Sequence, residues 1–379
     1  MGRIVRGLAA TALVLTGVAC GGGSGDGLSS TTTTADPAGT DTATDDAANP
    51  GTGDVDPAIV EASRSEGSLL VYGNPNDDQF APLLEGFEAA YPWIDVEALS
   101  LSGPETFQRY LSEEATGTRT ADVIVSNEAP GWLDLVDRGQ VVDDEPPSLA
   151  DLPDYARLAP GVAAMSFDPV IAMFNTALLP EDEQPTTLAD LAAMADDLDG
   201  RIGTYDIDSA TGFAATWYYL DAAGDAGWDV LADLGAHTTV EDSGGTLASK
   251  LTQGQYEAVF FMSGAARALA EGDASSRVAN WTYLEDATPL VPRGVGVTAA
   301  AEAPNAAKLF VDFLLSADGQ QAGCAGGFTP YRDGVDCDFD LASIEEAVGE
   351  DNLMIGDYDP AMVSGRDAFV DRWNTAFGR

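Results

Sequence analysis

Lysine is almost missing from this chain. Lys250 and Lys308 are the two lysines in 379 residues, and 17 basic residues face 63 acidic ones for a formal charge of −46. A phosphate backbone needs a basic face, so nucleic acid is excluded as a partner. The acidic excess reads as solvated surface that keeps the protein soluble, not as evidence for a cationic ligand. Histidine is represented by His237 alone, and the three cysteines form no CxxC motif. A zinc centre or a Ser-His-Asp triad therefore lacks its raw material. Long apolar runs are scarce as well. Leu8 to Val18 is too short for a comfortable span, and nothing else approaches the ~20 apolar residues that a membrane helix needs.

The short apolar run follows Arg3 and Arg6 and ends at Ala19-Cys20. That is the layout of a targeting segment, not of part of a fold. Leu15-Thr16-Gly17-Val18-Ala19-Cys20 resembles a bacterial lipoprotein signal, with Gly17 departing from the usual leucine. The resemblance implies a signal over 1–20, lipidation of Cys20, and an extracytoplasmic protein held to the cell membrane by that lipid alone. Residues 21–56 are Gly, Ser, Thr, Ala and Asp with little apolar bulk. They read as a disordered tether reaching about 30–35 Å on average. With Cys20 lipidated, Cys324 and Cys337 remain as an even pair in an oxidising compartment. The sequence leaves open whether they are bridged.

About 320 residues follow the tether, enough for two lobes and too many for one small core. Residues 68–73 read as a buried strand, and Phe80, Leu83, Leu84 and Phe87 recur at helical spacing. Ile94, Val96 and Ala98 alternate with acidic residues as a strand does. Asp122–Ser126 is a third strand, and Gly139 suits a helix C-cap after Trp132, Leu135 and Val136. A βαβαβ order of this kind implies a mostly parallel sheet covered by helices. A second α/β unit follows. Val170 to Phe174 suits a strand crossing between lobes, Arg201 to Tyr205 and Tyr256 to Phe261 read as further strands, and Pro289 to Thr298 reads as an extended return. Ala306, Leu309, Phe310, Phe313 and Leu314 mark a late helix.

Several stretches, in order, resemble one family. They are Glu66-Gly-Ser-Leu-Leu-Val-Tyr72, Phe87-Glu-Ala-Ala-Tyr-Pro-Trp-Ile-Asp-Val96, Ala121-Asp122-Val123, Gly200-Arg-Ile-Gly203 and the run from Pro304-Asn305-Ala306-Ala307 to Gly319-Gln320. Together they resemble bacterial extracellular solute-binding proteins of ABC importers, the ferric-ion-binding type. The resemblance covers roughly residues 66–335. It implies an α/β, two-lobe periplasmic-binding-protein-like clamp with two extended crossovers that closes by hinge motion. It assigns 57–168 to the first lobe, 169–288 to the second, and 289–379 to the return plus C-terminal helices. It further implies a monomer that carries no catalysis or cofactor, holds a small molecule or ion, and docks on an importer permease. A sensing or adhesion lipoprotein built on the same clamp is the alternative.

Ligands of parallel sheets bind beyond the carboxyl ends of the strands. That places Asn74, Asn76, Asp77, Ser102, Gly103, Asn127 and Glu128 at the site from the first unit. From the second come Asp208, Ser209, Thr211, Gly212, Ser243, Gly244, Ser263 and Arg267. Asp208 to Gly212 leads into a helix whose N–H groups suit a phosphate, phosphonate or carboxylate, although Ser209 and Thr211 read equally as plain N-caps. Arg267 is a candidate partner for a ligand anion. Ferric binders of the resembled family use tyrosinates, whereas the matching place here is Phe260-Phe261-Met262-Ser263. Tyr218-Tyr219 reads as packing flanking a stripe of Phe213, Trp217 and Leu220. A small organic or phosphorylated anion is thus favoured over iron, with no metal site assigned and ferric ion kept as a possible ligand.

Overall fold

Burial on both faces makes the apolar run Ser68–Gly73 an interior strand of a parallel sheet. In the computed structural model, which describes residues 55–271 and 278–379, this run is β1. It follows α1 (Pro57–Ser63) and leads into α2 (Asp77–Ala90), β2 (Asp95–Ser100), α3 (Gly103–Thr116), β3 (Val123–Ser126) and α4 (Ala129–Asp137). The expected signal, tether and Cys20 fall outside the described residues, except that Val55 and Asp56 are part of the folded body. The Asp56 carboxylate accepts from the Ala58 amide at 2.8 Å and so caps α1.

The chain then runs through β4 (Arg157–Ala159), the long β5 (Val162–Asn175), α5 (Leu188–Ala193), β6 (Ile202–Tyr205), α6 (Ala210–Gly235), β7 (Thr238–Glu241), α7 (Gly244–Thr252) and β8 (Ala258–Ser263). After α8 (Arg267–Glu271) come β9 (Ala279–Thr282) and β10 (Pro289–Val297). The last elements are α9 (Pro304–Leu315), α10 (Ala317–Ala325), α11 (Leu341–Val348), β11 (Met354–Ile355), α12 (Ala361–Ser364) and α13 (Arg366–Ala376). Gly224, at φ 60°, breaks α6 into two segments, a conformation that a side chain would resist.

Strand order is β2-β1-β3-β10-β5-β8-β6-β7. The β1–β2, β1–β3, β6–β7 and β6–β8 pairs are parallel, whereas β10 runs antiparallel to both β3 and β5. β5 joins two sheets. Residues up to Pro169 pair with β10, and residues from Val170 pair with β8 and β9. The first sheet with its helices forms one lobe and the second sheet forms the other. The chain returns from β9 to β10 through residues 283–288. There is also a third connection: α12 packs on α4 of the first lobe and α13 on α6 of the second. Phe369 of α13 meets Phe213, Trp217 and Trp228 edge-on or tilted, which fixes the strap on its helix.

Cys324 and Cys337 form a disulfide that ties α10 to the loop before α11. The α6 stripe differs from its sequence reading. Tyr218 and Tyr219 are more deeply buried than Trp217. Tyr218 donates to the Asp357 carbonyl at 2.7 Å and Tyr219 packs on Phe261. Two connections from other parts of the chain, β8 and the C-terminal segment, cover the face that helix periodicity alone leaves open.

Candidate functional site

The carboxyl ends of β1, β2, β6 and β7 meet across one cavity of about 400 Å³. The first lobe contributes Asn74, Leu101, Ser102, Gly103 and Pro104, and the second contributes Tyr205, Asp206, Asp208 to Thr211, and Asp242 to Gly244. Three helices, α3, α6 and α7, begin at this cavity. Each begins there because a short polar or glycine residue follows a strand end and interrupts the extended conformation before helical residues take over. The N–H groups of a first turn have no partner within their helix, and the helix dipole adds partial positive charge there.

The capping differs among the three. Ser209 Oγ accepts from the Gly212 amide at 3.0 Å and donates to the Asp206 carbonyl at 2.8 Å. Ser243 Oγ accepts from the Thr246 amide at 3.2 Å. Ser102 makes no such side-chain bond to its own helix. The first turn of α3 is therefore the one whose N–H groups no capping side chain occupies, those of Gly103 and Glu105, since Pro104 has none.

Polar contacts bridge the two lobes beside the cavity. Asn74 Nδ2 donates to Asn127 Oδ1, and Asn127 Nδ2 donates to Thr211 Oγ1 at 3.3 Å. Behind Asn74 stands Arg293 of β10, buried, donating to Asn74 Oδ1 at 2.5 Å and to Asp168 Oδ2 at 2.9 and 3.1 Å. Glu128 is also buried, with its carboxyl packed close to Gly103 of α3. Burial pushes this carboxyl up to about 7, and the field of Arg366 offsets the shift in part.

Negative charge at the cavity is partly balanced from the C-terminal strap. Arg379 pairs with Asp206 at 2.5 Å, and Arg366 lies 3.8 Å from Asp208. Tyr205 lines the same cavity, and burial pushes its hydroxyl up to about 12, so the phenol keeps its proton at neutral pH. Among the described residues, no group of three or more His, Cys, Asp or Glu side chains is placed to hold a metal ion.

Asn74, Ser102, Gly103, Asp208, Ser209, Thr211, Ser243 and Gly244 thus gather on one cavity, and Asn127 is bonded to two residues that line it. Gly212 sits one residue inside, its amide held by Ser209. The remaining expected residues do not line it. Asn76 is engaged in a capping box with Gln79, and Asp77 accepts from Ser100 Oγ at 2.7 Å. Ser263 ends β8 and starts the turn over Gly264–Ala266. Arg267 requires correction as an anion partner. Its guanidinium is buried 3.1 Å over the Phe339 ring and donates to the Gly264 carbonyl at 2.9 Å. Tyr205, Asp206 and Asp242 are not among the residues that the sequence singles out for the site, although each lies at the carboxyl end of a strand, the signal that located their neighbours. Arg293 and Arg366 carried no local signal at all.

Comparison with known proteins bears on the family and the fold. Residues 83–346 match the family described as bacterial extracellular solute-binding protein. A probable ABC transporter periplasmic-binding protein, y4fP of Sinorhizobium fredii, is 25% identical over 263 residues, 66% of this chain and 70% of its own. The substrate-binding protein of an ABC transporter from Agrobacterium tumefaciens superposes with a TM-score of 0.74 at 22% identity, covering 84% of this chain and 96% of that one. The periplasmic binding protein AfuA of Actinobacillus pleuropneumoniae, solved with fructose-6-phosphate, superposes with a TM-score of 0.69 at 20% identity, covering 83% and 99%. These two structures share the two-lobe fold with this chain.

Proposed function

The chain belongs to the bacterial extracellular solute-binding proteins, a family of carriers and not of enzymes, and we propose that it serves an ABC importer by holding a small anionic solute, preferably a phosphorylated one, between its lobes. The observation that carries this reading is the convergence of three helix N-termini on one interlobe cavity. A phosphate or carboxylate placed there accepts from first-turn N–H groups and is favoured by the dipoles. Asp206, Asp208 and Asp242 would repel a bare anion, but they accept well from hydroxyl groups. A polyhydroxylated phosphate ester satisfies both halves of the lining, and the fructose-6-phosphate found in the Actinobacillus protein is one such compound.

The membrane anchor is part of the same proposal. A lipid on Cys20 followed by a polar tether would keep the lobes within reach of a permease. The test is a thermal-shift screen with sugar phosphates, phosphonates, inorganic phosphate, thiamine and ferric citrate. A binder at about 100 times its dissociation constant adds about 2.7 kcal/mol. Stabilisation by phosphate esters and not by their dephosphorylated parents supports the reading. Stabilisation by ferric salts alone overturns it.

A further inference from the structure

Arg293 contacts the site from behind, and its position suggests a function in the cleft that its absence from the cavity wall conceals. We infer that Arg293 is the positioning residue that fixes the donor–acceptor polarity of the cleft, so that the Thr211 hydroxyl hydrogen is offered to a hydrogen-bond acceptor on the ligand.

An asparagine amide can ordinarily sit either way round, and its orientation is set by the network around it. Guanidinium removes that freedom because it has five donors and no acceptor. Arg293 Nη1 lies 2.5 Å from one end of the Asn74 amide, so that end is the oxygen. Asn74 then presents its NH2 to Asn127, which must answer with oxygen. Asn127 in turn presents its NH2 to Thr211 across the lobe boundary. Thr211 accepts there, and its own hydroxyl hydrogen is left to donate into the cavity that the residue lines. One buried cation thus dictates the direction of every hydrogen bond in the series.

The starting point of the series is also fixed. The Nε and Nη2 atoms of Arg293 both bond Asp168 Oδ2, and Asp168 Oδ1 accepts from the Thr329 amide at 3.2 Å. Asp168 lies on β5 immediately before the strand passes from one sheet to the other. The ladder between β10 and β5 shifts register between Arg293 and Gly294. A bulge at such a point re-aims a side chain, here one that reaches both the crossover and the cleft. The polarity is therefore anchored at β5, the strand that joins the two sheets, not at either lobe's surface.

This inference rests on the cavity being the binding site, and two experiments keep it separable from that reading. The first needs no ligand. Neutron diffraction from perdeuterated protein should show deuterons on the Asn74 and Asn127 amides pointing toward Asn127 and Thr211, with the Thr211 deuteron turned into the cavity. The reverse order overturns the inference. The second uses fructose 6-phosphate and inorganic phosphate as probes in calorimetry on the full chain. Removing Arg293 alone leaves the half-buried Asp168 without its ion-pair partner, so the double variant D168L/R293M serves instead. T211V should weaken probe binding about tenfold in the wild type, the equivalent of one lost hydrogen bond. In D168L/R293M it should weaken binding less than about twofold, because the hydroxyl is no longer reserved for the ligand. Equal losses in both backgrounds would mean that Arg293 acts only through its charge, and the inference fails. If neither probe binds the wild type, the phosphorylated-solute reading falls and the deuteron directions still decide this one.

Discussion

A Cβ added to Gly103 would stand 2.7 Å from the Cβ of Ala210. The first belongs to α3 of one lobe and the second to α6 of the other, so the two helix starts meet beside the cavity with no room for a side chain at Gly103. A side chain at Gly103 would have to push against Ala210 across the lobe boundary. Gly103→Ala should hold the lobes apart, since overpacking at a tight contact costs about 1–3 kcal/mol. Ligand affinity is expected to fall about tenfold or more. Within its own lobe the added methyl group would also meet Glu128 at 3.1 and 3.3 Å, so a small loss of stability should accompany the opening. Calorimetry would read the affinity, and the scattering radius of gyration, expected to increase, would read the opening without any ligand. Unchanged values in both would show that the contact yields freely.

Much of this architecture is written in local patterns. The apolar run at 68–73 bounded by Gly73 and Asn74 reads as strand then loop without help, and Phe80, Leu83 and Phe87 state the buried face of α2 directly. Asp208 to Gly212 is legible for the same reason: strand, polar loop and helix follow one another within a few residues. What stays hidden is whatever the fold brings together from afar. Arg293 meets Asn74 across 219 positions, and no periodicity announces it. Arg267 was the opposite case, a charge near the right loop. Phe339, supplied by the far end of the chain, draws it away from the cavity. Tyr218 illustrates the same limit, since Asp357 and not helix phase decides its partner.

Glu128 should make stability depend on pH near neutrality. Its carboxyl titrates at about 7 in the folded protein and at 4.5 in the ordinary state. Below pH 4.5 it is protonated in both states and costs nothing. Between 4.5 and 7 the unfolded chain ionises while the folded one holds its proton, so stability declines as pH rises. Above 7 the loss is complete, at roughly 3 kcal/mol. Glu128→Gln should abolish this slope and leave the protein more stable than wild type at pH 8. Urea midpoints from pH 5 to 8 test it, and parallel curves for the two proteins would refute it.

The Cys324–Cys337 bridge closes a short loop, with the two residues 13 apart in sequence. In the chain-entropy view, such a loop contributes about 3 kcal/mol by restricting the unfolded chain. Paired replacement by serine should lower the urea-unfolding free energy by that order. A reducing agent should do the same to the wild type and nothing to the variant. A variant as stable as the parent would mean that the bridge is not formed.

Ser209 and Thr211 stand two residues apart at the start of α6 and should nevertheless fail in different ways. The Ser209 hydroxyl is fully occupied by its own backbone, accepting from Gly212 and donating to Asp206. Thr211 instead faces the cavity and the other lobe. Ser209→Ala should therefore act as the loss of a helix cap, about 1 kcal/mol of stability, with affinity within about twofold of wild type. Thr211→Val keeps the shape of the side chain and removes the hydroxyl. It should leave stability within the ordinary range of a lost surface hydrogen bond, about 0.5–1.5 kcal/mol, and weaken the ligand about tenfold. Unfolding curves and calorimetry on the two single variants separate the cases. If Ser209→Ala proved the more damaging to affinity, the ligand would be reading the helix cap itself, and its acceptor group would be seated at Ser209 and not beside Thr211.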